Sequence, residues 1–161
     1  MSTEKFKTDL SQGELGERVI ANYLLIKRPI KKIEFMGEGK DWDFKCEDIN
    51  GKIITFEVKT DRYEYMNGIT TGNMFIEISC SKKPSGINAS KADYFVYYYP
   101  DLELFYIMPL PEFRLFLLKE KITIAELCGD GQRTEGYLLD RQLCGKNYPS
   151  FTIKKDADIW I

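Results

Sequence analysis

The chain is 161 residues long, 43% apolar, 14% aromatic and 30% charged, with a formal charge of −2 and a pI near 5.4. That length suits one domain with its own hydrophobic core, the aromatic content argues against extended disorder, and the balance of charge gives no global basic footprint. It contains no histidine, which excludes Ser-His-Asp triads, Cys-His pairs and most zinc or iron sites, so any catalysis must rest on carboxylates, lysine, tyrosine, cysteine or hard metal ions.

No apolar run approaches the roughly 20 residues that cross a bilayer, and the opening MSTEKFKTDLSQGELGER lacks the apolar centre of a secretory signal. A cytoplasmic protein with no membrane partner is expected. Cys46, Cys80, Cys128 and Cys144 are scattered without a C-x-x-C pair, so they read as reduced structural thiols rather than a zinc knuckle or disulfide framework.

The segment from Ser11 to Leu25 sets Leu15, Val19, Ala21, Tyr23 and Leu24 among polar residues. This predicts a helix, with Ser11 as its cap and Glu14 as the capping-box partner. It should end near Arg28-Pro29, because a residue before proline is pushed out of the helical region. Short extended stretches follow at Lys32–Phe35, Asp43–Cys46 and Ile53–Lys59, the last two separated by the turn-forming Asp48-Ile49-Asn50-Gly51. Further strands are expected at Asn73–Cys80, Tyr94–Tyr99 and Leu104–Met108, and a proline-initiated helix at Pro111–Lys119. Beyond it the pattern blurs: a loop around Gly129 and Gly131 precedes a polar stretch, and Phe151–Ile153 with Ile159–Ile161 read as terminal strands.

One constellation rises above this background, Asp43 in KDWDFKC and, after the turn, Glu57 and Lys59 in ITFEVKTD. Side chains alternate across a strand, so Glu57 and Lys59 share a face while Val58 points the other way. Pairing through the Asn50-Gly51 turn would bring Asp43 to join them at one end of the hairpin, with Asp41 on the same strand face as a competitor. Two carboxylates and the Val58 carbonyl make an oxygen-rich set suited to Mg²⁺ or Mn²⁺, with Lys59 as a fixed cation beside it. Phosphodiester hydrolysis needs such groups and needs no histidine.

With Asp43, a turn and then Glu57-Val58-Lys59, the chain resembles the PD-(D/E)XK nuclease superfamily, with Trp42 where the name-giving proline would stand. The resemblance implies an α/β, restriction-endonuclease-like fold, a mixed central β-sheet flanked by helices in a single domain. It also implies a Mg²⁺-dependent endonuclease acting on DNA, with no organic cofactor. The helix GELGERVIANYL, with Glu17-Arg18 four residues after Gly13, is similar to the leading helix of Holliday-junction resolvases in this superfamily. By that likeness Glu17 would complete the metal shell, and structure-selective cutting by a homodimer is implied. A second stretch, FIEISC to SGINASKADYFVYY, is similar to the middle of phage and bacterial nucleases of the same superfamily. The resemblance spans about the first 100 residues.

Blander readings stand beside these. Glu14 serves equally as a capping residue, Glu77 as a solvated strand residue rather than one that approaches the metal from a strand neighbouring Glu57, and the Tyr94–Tyr99 aromatics as sheet core rather than a base-stacking platform. Lys82, Lys83 and Lys91 around Ser85-Gly86, together with Arg18, are candidate phosphate contacts that would supply local positive charge. The rivals to a DNA endonuclease are a nuclease acting on RNA or single-stranded DNA, a non-catalytic DNA-binding module and a plain interaction protein.

Overall fold

The computed structural model describes residues 3–37, 40–61, 72–129 and 132–153. A long helix α1, Thr3–Lys27, leads into strand β1, Ile30–Phe35. Strands β2, Phe44–Asp48, and β3, Ile53–Thr60, follow. They form a tight hairpin because Asp48 Oδ1 accepts the amide hydrogens of Asn50 and Lys52 at 2.8 and 2.9 Å. Strands β4 (Asn73–Cys80) and β5 (Lys83–Pro84) precede β6 (Tyr94–Tyr99) and β7 (Leu104–Pro109). Helix α2 (Leu110–Lys119), strands β8 (Ile124–Gly129) and β9 (Gln132–Asp140), helix α3 (Arg141–Asn147) and strand β10 (Ser150–Thr152) complete the described chain.

The strands form two sheets, one of six strands in the order β1-β2-β3-β6-β7-β10 and one of four in the order β5-β4-β9-β8. Strands β3 and β6 run parallel, whereas the other pairings of the six-stranded sheet are antiparallel. This is a mixed sheet in an α/β fold, as the sequence leads one to expect. Alternation gives the sheet two apolar faces. Phe44, Cys46, Phe56, Val96, Tyr98 and Phe105 meet Ile20, Ala21 and Leu24 of α1 on one side. Phe95, Tyr97, Tyr99 and Met108 on the other meet Met74 and Ile76 of β4, Leu139 of β9, and Phe113 and Leu117 of α2. Each such fully buried side chain contributes about 1.5–3 kcal/mol of transfer free energy, which is what clamps α1 and the second sheet to the first.

Tyr97 also joins the two sheets by hydrogen bonds. Its side chain is fully buried, and its hydroxyl accepts the Phe75 amide hydrogen of β4 at 3.2 Å while donating to Asp61 Oδ2 just beyond β3 at 2.5 Å. The Tyr94–Tyr99 aromatics are thus sheet core, as expected, with only Tyr94 partly exposed. All four cysteines are free thiols. Burial pushes the thiols of Cys46 and Cys144 up to about 11 and about 12, which keeps them unreactive.

Several expectations are corrected. Helix α1 begins eight residues before Ser11, so Ser11 lies inside it and not at its start. Strand β4, which carries Glu77, belongs to the second sheet and is no neighbour of β3. The blurred segment after α2 is a hairpin, β8 and β9, followed by a helix whose Asp140 cap accepts the Leu143 amide hydrogen at 2.9 Å. A terminal strand exists at Ser150–Thr152, paired antiparallel with β7. Ile159–Ile161 lie outside the described residues, as does Gly131. No described helix is long and apolar enough to cross a membrane.

Candidate active site

The β2–β3 ladder ends at the Phe44–Phe56 pair, while β3 continues alongside β6 as far as Thr60. Past Phe56, one flank of β3 therefore has no strand beside it. Asp43 fills the gap: its amide donates to the Phe56 carbonyl at 2.9 Å, and its Oδ2 accepts the Val58 amide hydrogen at 2.7 Å. In an extended strand the carbonyl of a residue leaves on the same flank as its amide hydrogen, so the Val58 carbonyl also opens toward this gap.

Glu57 lies on the opposite face from Phe56 and Val58, beside Phe95 of β6. Its Oε2 is 3.1 Å from the hydroxyl of Ser90, which is 6% exposed. Lys59 follows on the same face as Glu57, exposed, next to Tyr97. The E-x-K alternation is realised as the strand period dictates.

The third carboxylate arrives from α1. A β-carbon on Gly16 would stand 1.9 Å from Thr60 Oγ1, so only glycine lets the helix come this close to β3. Glu17 is the next residue and is partly buried. Burial, then the nearby Asp43 and Glu14 charges, push the Glu17 carboxyl up to about 7 against a weaker pull from Arg18. Burial and then Asp43 push Glu57 up to about 8, offset in part by the Ser90 hydrogen bond and reinforced by Glu17. Asp43 is raised as well by burial, with the Val58 amide working against it. Glu17, Asp43 and Glu57 thus share one patch in which each ionised carboxylate disfavours another.

Other sequence candidates take different places. Asp43 takes the hairpin end through the Val58 amide, while Asp41 forms an exposed ion pair with Lys91 at 3.1 Å. Glu14 is exposed one helical turn before Glu17. The guanidinium of Arg18 stacks over the Phe35 ring at 5.0 Å. Lys82 and Lys83 are exposed at the turn from β4 to β5. Glu77 is carried by β4 of the second sheet; the missing β-carbon of Gly86 would fall 2.3 Å from the Glu77 carbonyl oxygen, so glycine there lets the 85–91 loop lie against β4.

Sequence reasoning passed over Ser90 and Asp93, which fasten the loop to the site. Asp93 Oδ2 accepts both the amide and hydroxyl hydrogens of Thr55 at 2.8 Å, and its own amide is returned to the Thr55 carbonyl at 3.1 Å. The stretch SGINASKADYF carries both, but nothing in its spacing distinguishes one polar loop residue from the next.

Among the described residues no three Cys, Asp or Glu side chains stand so that they alone hold a metal ion. A donor set of two carboxylates and one main-chain carbonyl is nonetheless suited to Mg²⁺, which keeps several waters and seldom takes an all-protein cage. The patch of mutually repelling carboxylates fits a cation for the same electrostatic reason. Asp43, Glu57 and the Val58 carbonyl are the residues that would take it, with the Glu17 carboxylate close enough to feel both acids.

No family profile and no curated protein matches the sequence. Among solved structures the chain is similar to a bacterial homing endonuclease, I-Ssp6803I, with a TM-score of 0.50 and 19% identity over 86% of this chain and 79% of that one. The two share a fold. A likeness over 86% of the chain reaches past the first 100 residues.

Proposed function

We propose that this protein is a metal-dependent endonuclease that hydrolyses DNA phosphodiester bonds with Mg²⁺ or Mn²⁺. The observation that carries the reading is the meeting of Asp43 and Glu57 at the open end of the β2–β3 hairpin, with Lys59 one strand period beyond. The shared fold with a homing endonuclease supports it.

In this reading Asp43, Glu57 and the Val58 carbonyl would hold the ion, and Glu17 would complete the shell. The ion would supply positive charge against the attacked phosphate and lower the pKa of a water. Lys59 is an exposed cation on the face of Glu57; it stabilises the negative charge that builds on the phosphate and orients the attacking water. Arg18, Lys82, Lys83 and Lys91 contact the nucleic-acid backbone and supply the positive charge that the acidic pI conceals. The match from Gly13 to Arg18 favours branched DNA as substrate and a homodimer as the working form, since two strands must be cut.

The test is cleavage of branched, duplex and single-stranded DNA and of RNA, with and without Mg²⁺ or Mn²⁺, by the wild type and by Lys59→Ala. Metal-dependent DNA cleavage by the wild type is expected, with a loss of about 10²–10³ in rate for the variant. Folded wild-type protein that cuts none of these substrates sinks the reading, and cleavage of RNA alone replaces it with a ribonuclease.

A further inference from the structure

Ser90 lies on a loop between the sheets, remote in sequence from the strands that carry Asp43 and Glu57, yet it is almost wholly buried and its hydroxyl reaches the Glu57 carboxylate. The hydroxyl has one hydrogen and two acceptors in range, Glu57 Oε2 at 3.1 Å and the Asp41 carbonyl at 3.2 Å. An ionised carboxylate is much the stronger acceptor, so charged Glu57 takes the hydrogen. The lone pairs of Ser90 receive the Ala92 amide hydrogen at 3.2 Å, which fixes the direction in which the hydroxyl points.

The loop itself is fastened from a third element. Arg114, on the first turns of α2, donates through Nε to the Ile87 carbonyl at 2.8 Å, and through Nη2 to the carbonyls of Ile87 and Ser90. A guanidinium presents its donors in a rigid planar fork, so both carbonyls are held in one geometry. The Lys91 amide closes the loop onto the Asp41 carbonyl at 2.9 Å, two residues before Asp43. One short segment therefore touches the backbone leading to Asp43 and the side chain of Glu57 at once.

We infer that Ser90, clamped by Arg114, is a positioning residue that orients the Glu57 carboxylate toward a divalent cation and sets its spacing from Asp43. The inference rests on the metal-site reading above and adds to it the groups that hold the ligand still. A carboxylate left to rotate binds a cation less tightly, and loss of such supporting partners typically weakens metal affinity about 10–100-fold.

The experiment is calorimetric titration of Mn²⁺ into metal-free protein, with thermal melting alongside, for the wild type, Ser90→Ala, Ser90→Thr and Arg114→Lys. Mn²⁺ affinity is expected to fall about 10–100-fold in S90A and to return to within severalfold of wild type in S90T, which keeps the hydroxyl. R114K retains charge but not the fork and should fall in between. Wild-type affinity in S90A overturns the inference, and so does equal weakening in S90A and S90T, which would trace the effect to loop packing rather than to the hydroxyl. If S90A melts below the titration temperature, R114K carries the test, and wild-type affinity there overturns the clamp. Wild-type protein that binds no Mn²⁺ overturns the metal-site reading itself, and this assignment falls with it.

Discussion

Gly16 of α1 faces Thr60 of β3 at a separation that leaves no room for a β-carbon, which would stand 1.9 Å from the threonine hydroxyl. This contact sets the height of the helix over the strand, and with it the reach of Glu17. Gly16→Ala should lift or tilt α1 and cost about 1–3 kcal/mol as an overpacked site, read as a lower melting temperature. Gly13 has nothing within 4 Å of the equivalent point, so Gly13→Ala should be neutral or stabilise by up to ~1 kcal/mol through helix propensity. Equal melting temperatures for the two variants would show that the close approach does not govern the packing.

Asp43 and Asp41 are two residues apart yet differently engaged, the first with the Val58 amide and the second with exposed Lys91. Asp43→Asn keeps a hydrogen-bond acceptor for Val58 and removes one charge from the carboxylate patch. It should leave the fold intact and cut metal-dependent cleavage about 10²–10³-fold, the size of loss seen when one transition-state electrostatic partner is removed. Asp41→Asn loses a surface ion pair worth about 0–1 kcal/mol and should cleave within severalfold of wild type. A reversed order in a parallel cleavage assay would transfer the role to Asp41.

The legibility of this site in the sequence follows the range of the forces involved. Glu57 and Lys59 were readable because strand alternation is a local rule, and the hairpin was readable because Asp48 to Gly51 carries its own turn chemistry. The parallel strand β6 was recognisable as a strand from its aromatic run, but its place beside β3 depends on a connection of more than thirty residues. The start of α1 is hidden because Ser11 looks like a cap, whereas the helix continues through it. The second sheet is hard to read because its β8–β9 half alternates weakly: Ile124 and Leu127 are about half exposed on an edge strand. Ser90 and Arg114 carry no local signal, because their roles exist only once the loop, α2 and the hairpin meet in space.

The raised carboxyls imply a pH-dependent stability in the absence of metal. Glu57 moves from an ordinary 4.5 to about 8 in the folded protein, so between those values the folded state holds more protons than the unfolded state. Stability then falls as pH rises through that interval and levels off above about pH 8. In EDTA, the wild type should melt at a lower temperature at pH 8.5 than at pH 6. Glu57→Gln removes the largest part of this slope and should melt above the wild type at pH 8.5 by roughly 2–8 °C. Glu17, raised to about 7, leaves a smaller residual slope in the variant. Melting curves for both proteins from pH 5 to 9 check it, and a wild type that gains stability toward pH 9 contradicts the arrangement.

Tyr97 couples the second sheet to the end of the strand that carries Lys59, because its hydroxyl lies between the Phe75 amide and Asp61. Burial and the adjacent Asp61 charge raise its phenol well above the usual range, so it remains a neutral donor across all working pH. Tyr97→Phe preserves the ring packing against Phe95 and Tyr99 and removes only the hydroxyl. With the Phe75 amide losing that acceptor inside the protein, the cost should be about 1–3 kcal/mol. The loss is local, so hydrogen exchange at the start of β4 should accelerate more than exchange in β2, which belongs to the other apolar face. Uniform acceleration across both sheets would mean that the hydroxyl supports global stability rather than the docking of the second sheet onto the first.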